Sequence, residues 1–416
     1  MHNFWWIVIA VVAVGAVIGL ILVLRRRHYL KEVRELGWSH DSRPTLAAVA
    51  DLHAPPFAMG LSRKVDELIT GTTPGGASFR VFEYDYSGAG PKYSGRVAAV
   101  QLPFSLPDAF VRDSARGRAR VGIGSGGQEL VQVLDGEVQV IAADAGFAGD
   151  LLAGAGGTLA QFAQAADVLD LSVDGSQLVA VGAPKDPEEL KDFLIALDPI
   201  AQALAGSSSL AARQVPPSAN SGFYGHPDWQ LVDTDDSVLG IYPVSREGYG
   251  HRTEGLVRGG RDGIRLDAFV HHWKTDRTVV ETDAEGHTHT RTVTDNHSEA
   301  VCGFVLPFAL PSISLNGRRV GTKVQFESSD FNDAFTVRTD NPKFASDVTH
   351  PRMMEWLLAA RPYGWSVTGS VVDFSVSQHD LLVVDACEEA LRGWLGRFPR
   401  FVWQDLGLQP PPFLVE

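Results

Sequence analysis

Residues 4–24 (FWWIVIAVVAVGAVIGLILVL) form an unbroken apolar run, and Arg25, Arg26 and Arg27 follow at once. A helix of that length extends roughly 30 Å at 1.5 Å per residue, the thickness of a bilayer's hydrocarbon core. A secretory signal has its basic residues before a shorter apolar stretch and a small-residue cleavage site after it. Here only Met1, His2 and Asn3 precede the run, and Leu24 leads straight into arginine. The run is therefore expected to be a retained anchor, in contact with the lipid bilayer through residues 4–24. Arginines that stop a span stay on the cytoplasmic side. The expectation is a single-pass protein of the cell membrane with the bulk of its chain cytoplasmic. Arg25, Arg26 and Arg27 would then meet the headgroups, and Trp5 and Trp6 the opposite interface. Gly15 and Gly19 make a G-x-x-x-G, the spacing at which two membrane helices approach closely, so the anchor is a candidate for pairing two copies into a homodimer.

The rest of the chain has another character. All 50 Asp and Glu lie after Arg27, against 33 of the 36 Lys and Arg, so the body is more acidic than the chain's net −14. Such a body is repelled by nucleic-acid phosphates, which argues against that class of partner, and by anionic lipid, which leaves only the juxtamembrane segment to touch headgroups. Two cysteines, Cys302 and Cys387, are too few for a disulfide framework and fit a reducing compartment. The roughly 390 residues beyond the anchor exceed what one core usually holds, which calls for two domains.

An internal duplication supplies them. Leu102-Pro103-Phe104-Ser105-Leu106-Pro107 recurs as Leu306-Pro307-Phe308-Ala309-Leu310-Pro311. Residues 135–150 align without a gap to residues 332–347, matching Phe147-Ala148 and Asp150 to Phe344-Ala345 and Asp347. Trp38 opens the first copy as Trp229 opens the second, and Gly175 answers Gly369. The division expected is an anchor and basic stop over 1–27, a first repeat over 28–205, a linker over 206–225, a second repeat over 226–408 and a Pro-rich tail over 409–416. The Ser- and Pro-rich stretches around Ser207 and Pro216 suit a linker. Alternating strand signals appear at Phe79, Val81 and Tyr84 to Tyr86 and at Thr336 to Arg338. Leu190, Phe193, Leu194 and Leu197 keep a helical period, as do Leu391, Trp394, Leu395 and Phe398. Pro351 suits the first turn of a helix over 353–360. Strands in runs with helices after them argue an α+β fold with largely antiparallel sheets.

Chemistry is sparse. Strand alternation puts His287 and His289 on one face after a turn at 283–286, and His271 or His297 on a neighbouring strand offers a third zinc ligand. The bland reading, a solvated Thr/His hairpin inserted in the second copy, is favoured. Gly122 to Gly127 lacks the strand–helix context and the Lys-Ser/Thr of phosphate loops. Asp233, Asp235 and Asp236 start like a calcium loop, but Val238 and Val244 occupy the positions that need Gly and Glu. No Gly-x-Ser-x-Gly elbow occurs. No cofactor is expected, and no catalytic residue is assigned.

Gly37-Trp38, Thr70-Gly71-Thr72 before Phe82 to Tyr86, Phe344-Ala345 with Pro351-Arg352-Met353, and Trp365 with Gly369 give the chain a further likeness. Together with the anchor, it resembles a group of actinobacterial single-pass membrane proteins with tandem α+β domains. That resemblance implies no activity and carries over no catalytic residue. The leading expectation is a membrane-anchored, non-enzymatic scaffold or adaptor presenting tandem domains to a cytoplasmic protein partner of unassigned identity. The alternative is an envelope-associated hydrolase or metal-dependent enzyme with its site near His271, His287 and His289.

Overall fold

The computed structural model describes residues 19–21, 23–88, 92–113, 131–136, 138–165, 169–217, 222–223, 225–226, 228–232, 234–282 and 288–414. Among them the chain divides into two compact units, with the division along the chain between Gly225 and His226 and the short pieces Gly60–Ser62 and 87–88 grouped with the second. The fold is α+β, built on two seven-stranded antiparallel sheets.

The first unit begins with helical residues 23–35 (α1), whose Val33 is buried in the unit's core. The strands are β1 (Ser39–Asp41), β2 (Ser62–Thr72), β3 (Ser78–Ser87), β4 (Tyr93–Asp113), β5 (Val131–Asp135), β6 (Val138–Ala142) and β7 (Asp170–Val181). Their order is β1-β2-β3-β4-β6-β5, and β7 pairs with β4. Two long helices, α2 (Ala145–Ala165) and α3 (Pro187–Gly206), supply Phe147, Leu151, Leu190, Leu194 and Leu197 to the core that Val100, Leu106 and Val173 line from the sheet. The period read at Leu190 to Leu197 is thus the buried stripe of α3. A short α4 (Ser208–Ala211) follows.

The second unit repeats this plan. It holds β8 (Gln230–Val232), β9 (Tyr249–Arg261), β10 (Ile264–Thr282), β11 (Thr288–Leu315), β12 (Thr322–Val324), α5 (Ser329–Ala334), β13 (Val337–Thr339), α6 (Pro342–Val348), α7 (Pro351–Ala360), β14 (Trp365–Phe374), α8 (Leu381–Gly396) and α9 (Arg400–Asp405). The order β8-β9-β10-β11-β13-β12, with β14 on β11, matches the first sheet strand for strand.

The sequence matches fall on equivalent places. Proline donates no ladder hydrogen bond, so each Leu-Pro-Phe-x-Leu-Pro element interrupts its long strand. Register shifts flank Leu106 in β4 and Leu310 in β11, and these two residues lie opposite Gly175 and Gly369. Both glycines have positive φ, 55° and 63°, which a side chain would strain. Asp144 accepts the Phe147 N–H at 2.6 Å as α2 begins, and Asn341 accepts the Phe344 N–H at 3.0 Å as α6 begins.

Two boundaries differ from expectation. Residues 207–215 are part of the first unit, because Ser207 caps α4, Leu210 is fully buried and Arg213 pairs with Asp150 at 2.9 Å. The Val215 N–H also donates to the Ser105 carbonyl. In the Pro-rich tail, Phe413 packs under the Arg392 guanidinium at 4.7 Å, so its ring is tied to the second unit.

The copies diverge at α5, at the α6–α7 pair that stands where the first unit has α2, and at one hairpin. In the first unit the β3–β4 ladder ends at Tyr86 opposite Tyr93. In the second, β10 leaves β9 at Lys274, and β11 meets β14 only from Cys302 onward. From Thr275↔Asp295 to Thr282↔Thr288 the two strands pair only with each other among the described residues, as a ribbon roughly 25 Å long.

Candidate functional site

His271 was the sequence's anchor for a metal site, and the ladder gives it other partners. It is fully buried on β10, with Nδ1 3.0 Å from Glu299 Oε1 and Nε2 3.0 Å from His251 Nδ1. Glu299 Oε1 also accepts the Ser245 N–H at 2.8 Å. Trp273 and His297 continue the row of near-parallel rings across the sheet, at centroid separations of 5.0 and 5.2 Å. Both nitrogens of His271 are therefore in use. His289 lies opposite Glu281, ten positions along β10 from His271 (271 to 281), which is roughly 33 Å of strand. No single ion spans that distance, so the zinc set of His271 with His289 does not form. His287 and the turn at 283–286 lie outside the described residues, as do Gly15 and residues 114–130 with the glycine-rich loop.

The first unit holds a cluster that sequence reasoning missed. Among the described residues, His53, Asp108 and Asp174 are the group of three whose ligand-type atoms all lie within 4.8 Å of one another. Asp108 follows the repeated hexapeptide on β4, Asp174 precedes Gly175 on β7, and His53 comes from the segment between β1 and β2. His53 Nδ1 is 2.8 Å from Asp174 and Nε2 is 3.2 Å from Asp108. Asp174 is fully buried and accepts the backbone N–H groups of His53 (2.8 Å) and Ala54 (2.9 Å). Burial by itself would lower the imidazole pKa, but the bonds to Asp108 and Asp174 outweigh it and lift it to about 10. Burial pushes the Asp174 carboxyl upward against the same bond. The pair thus holds its proton tightly.

This geometry decides what the cluster can do. A cation needs its ligands to converge, whereas the two carboxylates face opposite nitrogens of one ring. The arrangement suits a protonated imidazole clamped between two acids, and it ties the β1–β2 segment to the middle of the sheet. A signal for it existed in the repeat. At the two positions beside its landmarks, where the first copy has Asp108 and Asp174, the second has Ser312 and Thr368.

The second unit closes its buried charge in another way. Asp267, fully buried on β10, accepts Arg258 Nε at 3.0 Å and Tyr242 Oη at 3.0 Å, with Arg265 Nε at 2.8 Å. Burial, then Asp267 itself, pushes the Tyr242 hydroxyl far up. Asp235 and Asp236, the calcium-like start, are engaged by Arg258, Ser237 and Thr253. The free thiols Cys302 and Cys387 are both buried, and contact with Cys387 and then burial raise the Cys302 pKa, which keeps that thiol protonated and unreactive.

At the chain's start, Leu20, Ile21, Val23 and Leu24 are each about half exposed, and Gly19 has open space around it. Arg26 does not stand free for lipid, since it pairs with Glu67 at 2.8 Å, while Arg25 and Arg27 are exposed. Among the described residues, no helix is long and apolar enough to cross a membrane.

No protein-family model matches the chain, and no curated protein matches it. Among solved structures, the mycobacterial trehalose monomycolate transport factor A, TtfA, matches with 11% identity and a TM-score of 0.35. The match covers 46% of this chain and 97% of that one, and at that score the likeness carries no argument.

Proposed function

We propose that this chain is a membrane-anchored scaffold or adaptor, held by residues 4–24, whose tandem α+β domains face a cytoplasmic protein partner and have no enzymatic role. The β10–β11 ribbon carries this reading. A strand pair open on both edges presents rows of backbone N–H and C=O groups to which another chain's strand can add. A two-stranded ribbon alone in water is marginal, so a partner strand stabilises it as well as docking on it. Threonine is its commonest residue, Val280 is 62% exposed, and Arg277 paired to Asp295 at 2.7 Å pins its base. The closed charge clusters at His53, His271 and Asp267 support a non-catalytic role, because each holds its polar atoms in internal contacts. The exposed apolar residues Leu20, Ile21, Val23 and Leu24 support the anchor.

The test is a comparison of two tagged full-length chains cross-linked in native membranes. One is the parent; in the other, residues 275–295 are replaced by an Asn-Gly turn joining Lys274 to Asn296. The expected outcome is a defined set of proteins recovered with the parent and lost with the shortened chain, both chains remaining in the membrane fraction. Recovery of the same set by both would overturn the ribbon as the docking element.

A further inference from the structure

The second unit carries a cleft of about 540 Å³ where the start of α7 meets the turn between α8 and α9, within the size range of small-molecule sites. Arg352, Arg397 and Arg400 line it together with His350, Phe398 and Leu414. Among the described residues no carboxylate lines it, in a chain whose net charge is −14. Arg352 and Arg397, neither of them paired to a carboxylate among the described residues, repel one another unless an anion sits between them.

Two of the walls are held in advance. Arg397 donates to the Gly393 carbonyl at 2.9 Å and lies over the Trp356 ring at 4.6 Å, which fixes its side chain. His350 Nδ1 accepts the Met353 N–H, so its other nitrogen, Nε2, is the donor, and it meets the Arg397 carbonyl at 3.1 Å. That bridge joins the first turn of α7 to the end of α8. Arg352 makes no hydrogen bond or ion pair with any described residue and is exposed. Phe398, which is buried, and Leu414 supply an apolar side.

We propose that this cleft binds the phosphate group of an amphiphilic phosphate ester. The guanidinium forks of Arg352 and Arg397 take the phosphate oxygens, and Phe398 and Leu414 take the adjoining carbons. Arginine suits this because its planar donors match a tetrahedral oxyanion in pairs. The ester would come from a lipid headgroup or from a soluble phosphate monoester, and the recognising chemistry is the same for both.

The probes are hexyl phosphate, inorganic phosphate, hexanol and dihexanoyl phosphatidic acid, each titrated calorimetrically into the full chain in a neutral detergent. Hexyl phosphate is expected to bind at one site per chain, about tenfold more tightly than inorganic phosphate, with no heat from hexanol. Arg352→Gln should weaken it about tenfold, and Arg397→Gln at least as much. If Arg397→Gln unfolds through loss of its Trp356 contact, the exposed Arg352→Gln still decides the matter. Tighter binding of dihexanoyl phosphatidic acid than of hexyl phosphate supports the site with a lipid as the source; the reverse order supports it with a soluble ester. The site is refuted if hexyl phosphate fails to bind, if Arg352→Gln binds it as the parent does, or if hexanol binds equally well.

Discussion

Burial alone would strip the charge from His53, and two carboxylates restore it. The contest can be read in pH. The imidazole pKa rises from 6.5 when unfolded to about 10 when folded, so folding takes up a proton. The group's stabilising contribution is therefore complete below about pH 6.5 and is lost as pH rises through about 10. Asp174, also raised, binds its proton more tightly when folded and acts in the same direction. Replacing His53 with Ala leaves Asp174 fully buried beside two backbone donors but without its cation. Removing one partner of a buried pair costs about 3 kcal/mol. Urea titrations of parent and His53→Ala at pH 6 should show that gap, and at pH 10.5 it should shrink by at least half. A gap independent of pH would mean that packing rather than charge fixes the residue. Only the two acids beside the repeat's landmarks were legible in the sequence, because the cluster's members are far apart along the chain. His53 and Asp174 are 121 residues apart. No spacing rule joins positions that distant; only the sheet brings them together.

Elements were more legible, for a local reason. The Leu-Pro-Phe-x-Leu-Pro hexapeptide carries its own consequence, since prolines break a ladder wherever it runs, and in both copies the register slips there. The helical periods at Leu190 and Leu391 lie on the buried faces of α3 and α8 for the same kind of reason. Segments rich in Ser and Pro misled, because Ser207 serves as a helix cap and the peptide after it packs. At the histidine hairpin, alternation gave a sound strand but not its register, and register decides which imidazoles meet. With His289 opposite Glu281 and His271 bound to Glu299 and His251, one ion cannot join His271 to His289. Changing His287 and His289 together to Ala should shift stability by less than about 0.5 kcal/mol, the usual range for surface positions. Thermal melts of both forms should respond identically to EDTA. A chelator-dependent drop confined to the parent would restore the metal-dependent reading, since a structural zinc contributes folding energy outright.

Across the whole molecule, the duplication governs packing as well as strand order. Trp38 precedes β1 and Trp229 precedes β8, and each indole lies against a glycine of the next strand. A methyl group added at Gly71 of β2 would stand 2.6 Å from Trp38 Cδ1 and 2.9 Å from the Phe79 ring. One added at Gly259 of β9 would stand 2.5 Å from Trp229 Cδ1 and 3.1 Å from the Asp228 carbonyl oxygen. Neither glycine needs a positive φ, so alanine there gains roughly 0.4–1 kcal/mol through the stiffer unfolded chain. Overpacking costs about 1–3 kcal/mol and is the larger effect. Gly71→Ala and Gly259→Ala should each lose about 1–2 kcal/mol net, with the loss greater at Gly259, where the backbone oxygen cannot swing aside. Because each strand path closes within its own unit, calorimetry of the full chain should show two transitions. Gly71→Ala should lower one of them and Gly259→Ala the other. A single transition displaced by both would mean that the units unfold together, and unchanged melting in both variants would remove the tryptophan–glycine contact as a shared feature of the two copies.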